Sequence, residues 1–214
     1  NVSHEFKTPL AAIEGYAALL QNGDLTDADR EEYTRLIIQS AQKLSTLTSN
    51  ILRLSKLENQ EIVPGKTRFS LDEQLRQALL LLEGQWSNKG IELDIELMPV
   101  LFYGSEELLL QVWLNLLGNA IKFTPHYGAV SVRLIERAGQ VQVTISDTGV
   151  GIPPEAQPHI FEKFYQGDRT RAAEGNGLGL ALVWRIVTLC GGAVSVSSDT
   201  GEGACFTVVL PNRH

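Results

Sequence analysis

Ile37, Leu44 and Ile51 recur at seven-residue intervals, and Tyr33, Leu47 and Leu54 follow the same repeat with Ser40 in the gap. This pattern predicts one long helix, from about Asp27 to Glu58, with a coiled-coil seam. Ahead of it, Phe6, Leu10, Ile13, Ala17 and Leu20 mark the buried face of a first helix that ends near Gln21. Asn22-Gly23-Asp24 stops that helix, and Thr26 or Asp27 can cap the next. Two helices joined by a short loop form an antiparallel hairpin. A lone hairpin buries only one seam, so pairing with a second copy into a four-helix bundle is expected. Pairing outward from the loop sets His4 near Leu44–Thr46 and leaves the last turns of the second helix without a partner. About ten residues of the first helix are therefore expected upstream, at about 1.5 Å each.

Past Glu58 the periodicity changes. Asn59 to Thr67, with Pro64-Gly65, reads as a linker. Arg68-Phe69-Ser70 is a short strand, and Ser70-x-x-Glu73 a capping box that opens a helix to about Asn88. Ile91–Leu97 alternates as a strand, and Glu106–Phe123 is a helix. Val130–Glu136 and Gln140–Ser146 form a hairpin about Ala138-Gly139. Leu178–Cys190 is a helix closed by Gly191-Gly192, and Val194–Ser198 and Cys205–Leu210 turn at Gly201-Glu202-Gly203. The expected fold is thus α plus α/β. A helical hairpin spans 1–58, a linker 59–67, and a two-layer α/β sandwich, with a mixed sheet and helices on one face, 68–214.

A net charge of −7 argues against a nucleic-acid binder, whose footprint is basic. Cys190 and Cys205 have no metal-ligand spacing, so buried, unreactive thiols in a reducing compartment are expected. No apolar run approaches the roughly 18 residues that span a bilayer. The chain opens inside a helix without methionine, which suggests a cytoplasmic piece of a longer protein, its sensing part and any membrane anchor upstream.

Candidate chemistry lies at five places. On a helix, His4 and Thr8 share a face with Glu5 beside them, and Pro9 removes the donor for the Glu5 carbonyl, so a bend is expected. This suits a nucleophilic imidazole and its base, and equally an exposed histidine ahead of a helix-breaking proline. Asn115, Asn119 and Lys122 form one polar stripe on an otherwise apolar helix, facing either a polar ligand or water. Asp147-Thr148-Gly149-Val150-Gly151 ends a strand in a turn, where an acid can accept from a flat base. Phe161-Glu162-Lys163-Phe164-Tyr165 by itself reads as core. Gly175-Asn176-Gly177-Leu178-Gly179 runs into a helix whose N–H groups can bind an anion, after a polar stretch, Gln166 to Asn176, that reads as a mobile lid.

In this order the segments resemble the phosphoacceptor, N, G1, F and G2 boxes of sensor histidine kinases, and Gly201-Glu202-Gly203 resembles the last glycine box. The resemblance covers essentially the whole chain. It implies a dimerisation and phosphotransfer hairpin followed by an ATP-binding domain. His4 is then the phosphoacceptor, Glu5 orients it and takes its proton, and Thr8 belongs to a regulator-dephosphorylating motif. The amide oxygen of Asn119, with Asn115 nearby, is implied to ligate Mg²⁺, and Lys122 to approach the phosphates of ATP. Asp147 reads the adenine amino group in a turn shaped by Gly149 and Gly151, while Gly175, Gly177, Leu178 and Gly179 meet the phosphates. The implied partners are a second copy of the chain and the receiver domain of a response regulator. Asn176 stands where threonine is more frequent, and Ser105 where aspartate is. Two alternatives are a related ATPase of the same nucleotide fold, which would lack the His-Glu-x-x-Thr hairpin, and a catalytically degenerate dimeric scaffold.

Overall fold

The computed structural model describes residues 2–22, 24–166 and 176–212. Helix α1, Val2–Leu20, and helix α2, Asp27–Glu58, form the expected antiparallel hairpin. Thr26 caps α2 reciprocally: its Oγ1 accepts from Asp29 N at 3.1 Å, and its own N–H donates to Asp29 Oδ2 at 3.2 Å. Tyr16 stacks on Tyr33 with ring centroids 5.7 Å apart, which sets the register of the pair. The far end of α2 is not bare. Leu54 and Leu57 are buried, and α2 packs there on a later helix, α6, Gly179–Leu189.

β1, Lys66–Ser70, pairs antiparallel with β3, Leu101–Ser105, placing Phe69 opposite Phe102. β3 is a five-residue strand that periodicity did not reveal. The helix expected over 71–88 breaks at Leu82 into α3, Leu71–Leu81, and α4, Glu83–Asn88. No capping box forms at Ser70, because its Oγ donates to Asp72 Oδ1 at 2.6 Å instead of accepting from the backbone. Burial opposes the charge of Asp72, but donation from Ser70, Arg76 and the Val100 N–H outweighs it and holds its pKa at about 2. That carboxylate ties the start of α3 to the entry of β3.

The main sheet runs β2-β4-β5-β7-β6. β2 (Glu92–Leu97) is parallel to β4 (Ala129–Arg137). β5 (Gln140–Asp147), β6 (Ala193–Asp199) and β7 (Gly203–Pro211) complete it in antiparallel pairs. Val130, Val132, Leu134, Val141, Val143 and Ile145 are 0–1% exposed on one face, while Arg133, Gln142 and Thr144 face the other way. The apolar face is covered by α5, Glu106–Phe123, and α6, Gly179–Leu189, with α3 packed beside α5. Each fully buried aliphatic side chain there contributes about 1.5–3 kcal/mol. Trp113, buried in the middle, keeps its indole N–H paired with Gln74 Oε1 at 2.9 Å. The result is the expected two-layer arrangement with helices on one face. Cys190 and Cys205 are half-buried where fully buried thiols are expected, and burial pushes the Cys190 thiol up to about 11. No helix among the described residues is long and apolar enough to cross a membrane.

Candidate functional site

Asn115, Asn119 and Lys122 follow at four- and three-residue steps on α5, so they share one stripe. All three are half-buried, whereas Val112, Trp113, Leu116, Leu117 and Ala120 on the opposite side are buried. Asn115 Nδ2 donates to the Gln111 carbonyl at 2.8 Å. Its Oδ1 faces the start of α6, where a Cβ on Gly179 would stand 2.8 Å away. Lys122 Nζ lies 4.7 Å from the centroid of the Phe123 ring.

The end of this helix is held by a residue that sequence reasoning missed. Lys89 Nζ donates to the carbonyls of Ile121, Lys122 and Thr124 at 2.9, 2.7 and 2.9 Å. These are carbonyls at a helix C-terminus, where intrahelical partners run out and the dipole favours a cation. Lys89 is 32 or more positions from its acceptors, so no local pattern announces it. A hollow of about 470 Å³ lies between these elements, lined by Gly84, Gln85, Asn88, Lys89, Gly118, Ile121 and Lys122.

Asp147 closes β5. Burial raises its pKa above the ordinary carboxylate value, and N–H donation from Gly149 (2.8 Å) and Ala204 (3.3 Å) to Oδ1 works against that rise. Gly149 sits against the carbonyl of Phe123, the last residue of α5, and Gly151 against that of Asp199. The turn is further tied to the β6–β7 hairpin, since Gly201 N donates to Val150 O and Ile152 N to Ser198 Oγ, both at 2.8 Å. Gly203 has φ +90°, and a Cβ there would overlap the carbonyl oxygen of Asp147. The last Gly-Glu-Gly is therefore the packing surface of the Asp147 turn as well as a hairpin loop.

Gly177, Leu178 and Gly179 lead into α6. Leu178 is buried, and its N–H donates to Asn176 Oδ1 at 3.2 Å. Gly177 O accepts from Phe164 N at 2.9 Å, which joins the Phe161–Tyr165 segment to this turn. Gly175 and residues 167–174, the bulk of the expected lid, lie outside the described residues.

On α1, His4 and Thr8 are exposed and Glu5 is half-buried. α1 runs on through Pro9 as one helix, and Thr8 Oγ1 donates to the His4 carbonyl at 3.1 Å. Glu5 Oε2 accepts from Gln166 Nε2 at 3.4 Å, the residue that follows Tyr165. The structure thus brings Asn115 to Gly179, Asp147 to Gly149 and Gly203, and the His4 turn to the edge of the α/β part. Among the described residues no three His, Cys, Asp or Glu side chains converge as a metal site. A hard cation here would depend on amide and phosphate oxygens, which Asn115 and Asn119 suit.

Two family descriptions match the chain. The His Kinase A (phospho-acceptor) domain matches residues 1–60, and the histidine kinase-, DNA gyrase B-, and HSP90-like ATPase matches residues 104–214. The sensor histidine kinase AruS of Pseudomonas aeruginosa is 39% identical over 96% of this chain and 21% of its own length. The sensor-like histidine kinase SenX3 of Mycobacterium bovis is 34% identical over 99% of this chain and 52% of its own. The chain therefore spans about half or less of these curated relatives. The crystal structure of full-length ShkA in complex with AMPPNP superimposes with a TM-score of 0.75 at 36% identity, over 98% of this chain and 44% of that one. A phosphoacceptor hairpin followed by an ATPase sandwich places this chain among the sensor histidine kinases, as their catalytic core.

Proposed function

We propose that the chain transfers the γ-phosphoryl group of ATP to His4, and that the group then passes to an aspartate of a response-regulator receiver domain. The observation that carries this reading is the match of residues 1–60 to a phospho-acceptor domain and of residues 104–214 to a histidine kinase-type ATPase in one chain, with Glu5 beside His4 reaching Gln166 of the second part. A ring nitrogen of His4 attacks the γ-phosphorus in line, the bond to ADP breaks, and Glu5 orients the imidazole and accepts its proton. His4 is exposed, so nucleotide and receiver domain can reach it in turn.

Asp147 accepts from the adenine amino group. Asn115, Asn119 and Lys122 line the way to Gly177 and Gly179 at the start of α6, whose backbone N–H groups are the donors for the phosphates, with Leu178 between them bonded to Asn176. Gly175 is assigned to the phosphates by the resemblance alone. Asn119, with Asn115, would hold Mg²⁺ by amide oxygens, and the ion supplies charge neutralisation on the phosphates. The protein does little covalent work here; most acceleration comes from positioning and preorganised charge.

Residues 1–58 form the phosphotransfer hairpin, 59–67 the linker and 68–214 the ATP-binding domain, and the hairpin dimerises. Of the heptad seam, Leu47 and Leu54 are already 2% and 6% exposed within one chain, so they are not free to meet a second copy. Half-buried Ile37, Leu44 and Ile51 and exposed Leu10, Leu19, Ile38 and Leu52 are the side chains left for a second copy to cover. Thr8, one turn beyond His4, serves removal of phosphate from the regulator by holding a water, exchanging its present bond to the His4 carbonyl. This part of the protein works in the cytoplasm, where ATP is supplied.

The test is incubation with γ-labelled ATP and Mg²⁺, followed by acid and alkali treatment. Label lost in acid, stable in alkali and absent from His4→Gln is expected; the same label on His4→Gln would move the acceptor elsewhere.

A further inference from the structure

Arg185 is a strongly engaged cation outside the site just described. It lies on α6, six residues beyond Gly179, and its guanidinium reaches the last turn of α2. Nε donates to Leu57 O at 3.0 Å, and Nη2 donates to the carbonyls of Leu57, Glu58 and Gln60 at 2.8, 3.2 and 2.8 Å. These are backbone acceptors in and just past the last turn of α2, at the negative end of its dipole; Leu57 O also accepts from Gln60 N at 3.2 Å. α2 ends at its C-cap Asn59, whose N–H also donates to Leu57 O. The three carbonyls converge on one planar fork only while α2 stays wound to this point.

We infer that Arg185 is a positioning residue for phosphoryl transfer. It latches the helix that begins at the phosphate-binding turn onto the end of the phosphoacceptor hairpin, and so sets where the nucleotide stands relative to His4. The inference rests on the assignment of His4 as acceptor. Arg185 itself touches neither the imidazole nor the Asn115 stripe.

Among the described residues, Lys163–Glu58 and Glu5–Gln166 also cross this boundary, and both contacts are weaker. Lys163 pairs with Glu58, but their side chains are 49% and 42% exposed, and ion pairs that open to water are screened. The Glu5–Gln166 bond is long at 3.4 Å. The Arg185 bonds are charge-assisted, multiple and partly buried. α6 makes the latch effective at a distance. Its first residue, Gly179, abuts Asn115, so a tilt of the helix released at Arg185 reaches the phosphate end directly. A displacement of about 1 Å is enough to cost on the order of a hundredfold in rate.

The experiment compares the unsubstituted chain with Arg185→Gln, which loses charge and fork, and Arg185→Lys, which keeps the charge. Single-turnover labelling of His4 is followed over a range of Mg·ATP concentrations, alongside titration with a fluorescent ATP analogue. Arg185→Gln is expected to lower the saturating rate by on the order of tenfold or more, with analogue affinity and the half-saturating ATP concentration changed by less than about twofold. Arg185→Lys recovers part of the rate. An unaltered saturating rate in Arg185→Gln overturns the inference, and so does a loss carried by analogue affinity alone, which marks a support of the fold. Absence of label from the unsubstituted chain would instead remove the assignment of His4, leaving the two failures distinct.

Discussion

Asn115 Oδ1 stands 2.8 Å from the point that a Cβ on Gly179 would occupy, although 64 positions separate the two residues. Glycine at 179 thus leaves room for the Asn115 amide beside the start of α6. A methyl group there pushes on the end of a side chain, not on backbone, so the amide can swing away at the expense of its bond to Gln111 O. Gly179→Ala is expected to unfold near the parent temperature while binding ATP on the order of tenfold more weakly, a change of about 1.4 kcal/mol. Calorimetric titration checks the affinity and thermal denaturation the fold; unchanged affinity would detach Asn115 from the nucleotide.

Gly203 and Gly201 make a matched pair in one loop, with φ of +90° and +89°. A Cβ at 203 collides with the carbonyl of Asp147, whereas one at 201 meets nothing within 4 Å. Gly201→Ala carries only the backbone cost of that φ, about 1–2 kcal/mol. Gly203→Ala adds overpacking against main chain and is expected to cost about 3 kcal/mol or more, displacing Asp147 as it does so. Urea denaturation of both variants decides it, since equal midpoints would mean that the Asp147 turn yields freely.

Asp147 has its folded pKa raised by burial, with the Gly149 and Ala204 N–H groups opposing. A carboxyl whose pKa rises on folding stabilises the protein below its unfolded value, and that contribution is lost as pH climbs through the folded value. Asp147→Asn is therefore expected to melt no lower than the parent at pH 7 and to lose this advantage in acid. Its ATP affinity should collapse even so. The two N–H donors keep an oxygen in the Oδ1 position, which leaves the new NH₂ where the proposed adenine amino group would need an acceptor, donor against donor. Melting curves across pH with nucleotide titration test both halves.

Ile38 and Leu52 are 52% and 66% exposed on α2 and lie two heptads apart on one face. Replacing both with aspartate should shift sedimentation towards monomer at tens of micromolar and lower the melting temperature only by what the dimer contributes, because neither is in the core of the single chain. Leu47→Asp should instead destabilise the single chain by about 3 kcal/mol or more, since Leu47 is 2% exposed. Dimers unaffected by the double replacement would place the contact on another face.

Much of this protein is legible from the chain because its determinants are local. The heptads of α2, the Thr26 box, the apolar wall of α5 and the Ala138-Gly139 turn each depend on residues within a few positions. Their ends accordingly fall where periodicity put them, at Asp27–Glu58 for α2 and Glu106–Phe123 for α5. The polar stripe on α5, the acid at the end of β5 and the glycines before α6 were likewise visible as residue types out of keeping with their surroundings.

Tertiary structure decided the rest. Ser70 looked like an N-cap until Asp72, buried and wired to Val100, took its hydroxyl. The seam residues Leu47 and Leu54 looked reserved for a second copy, but packing within one chain buries them. Lys89 and Arg185 carry no signal at their own positions and Gly203 signals only a turn, because each acts on a carbonyl from a distant element: the end of α5, the end of α2 and, for Gly203, the end of β5. Periodicity records which way a side chain points along its own element. It cannot record which helix end or strand end will arrive beside it, and in this protein the geometry between the boxes depends on those arrivals.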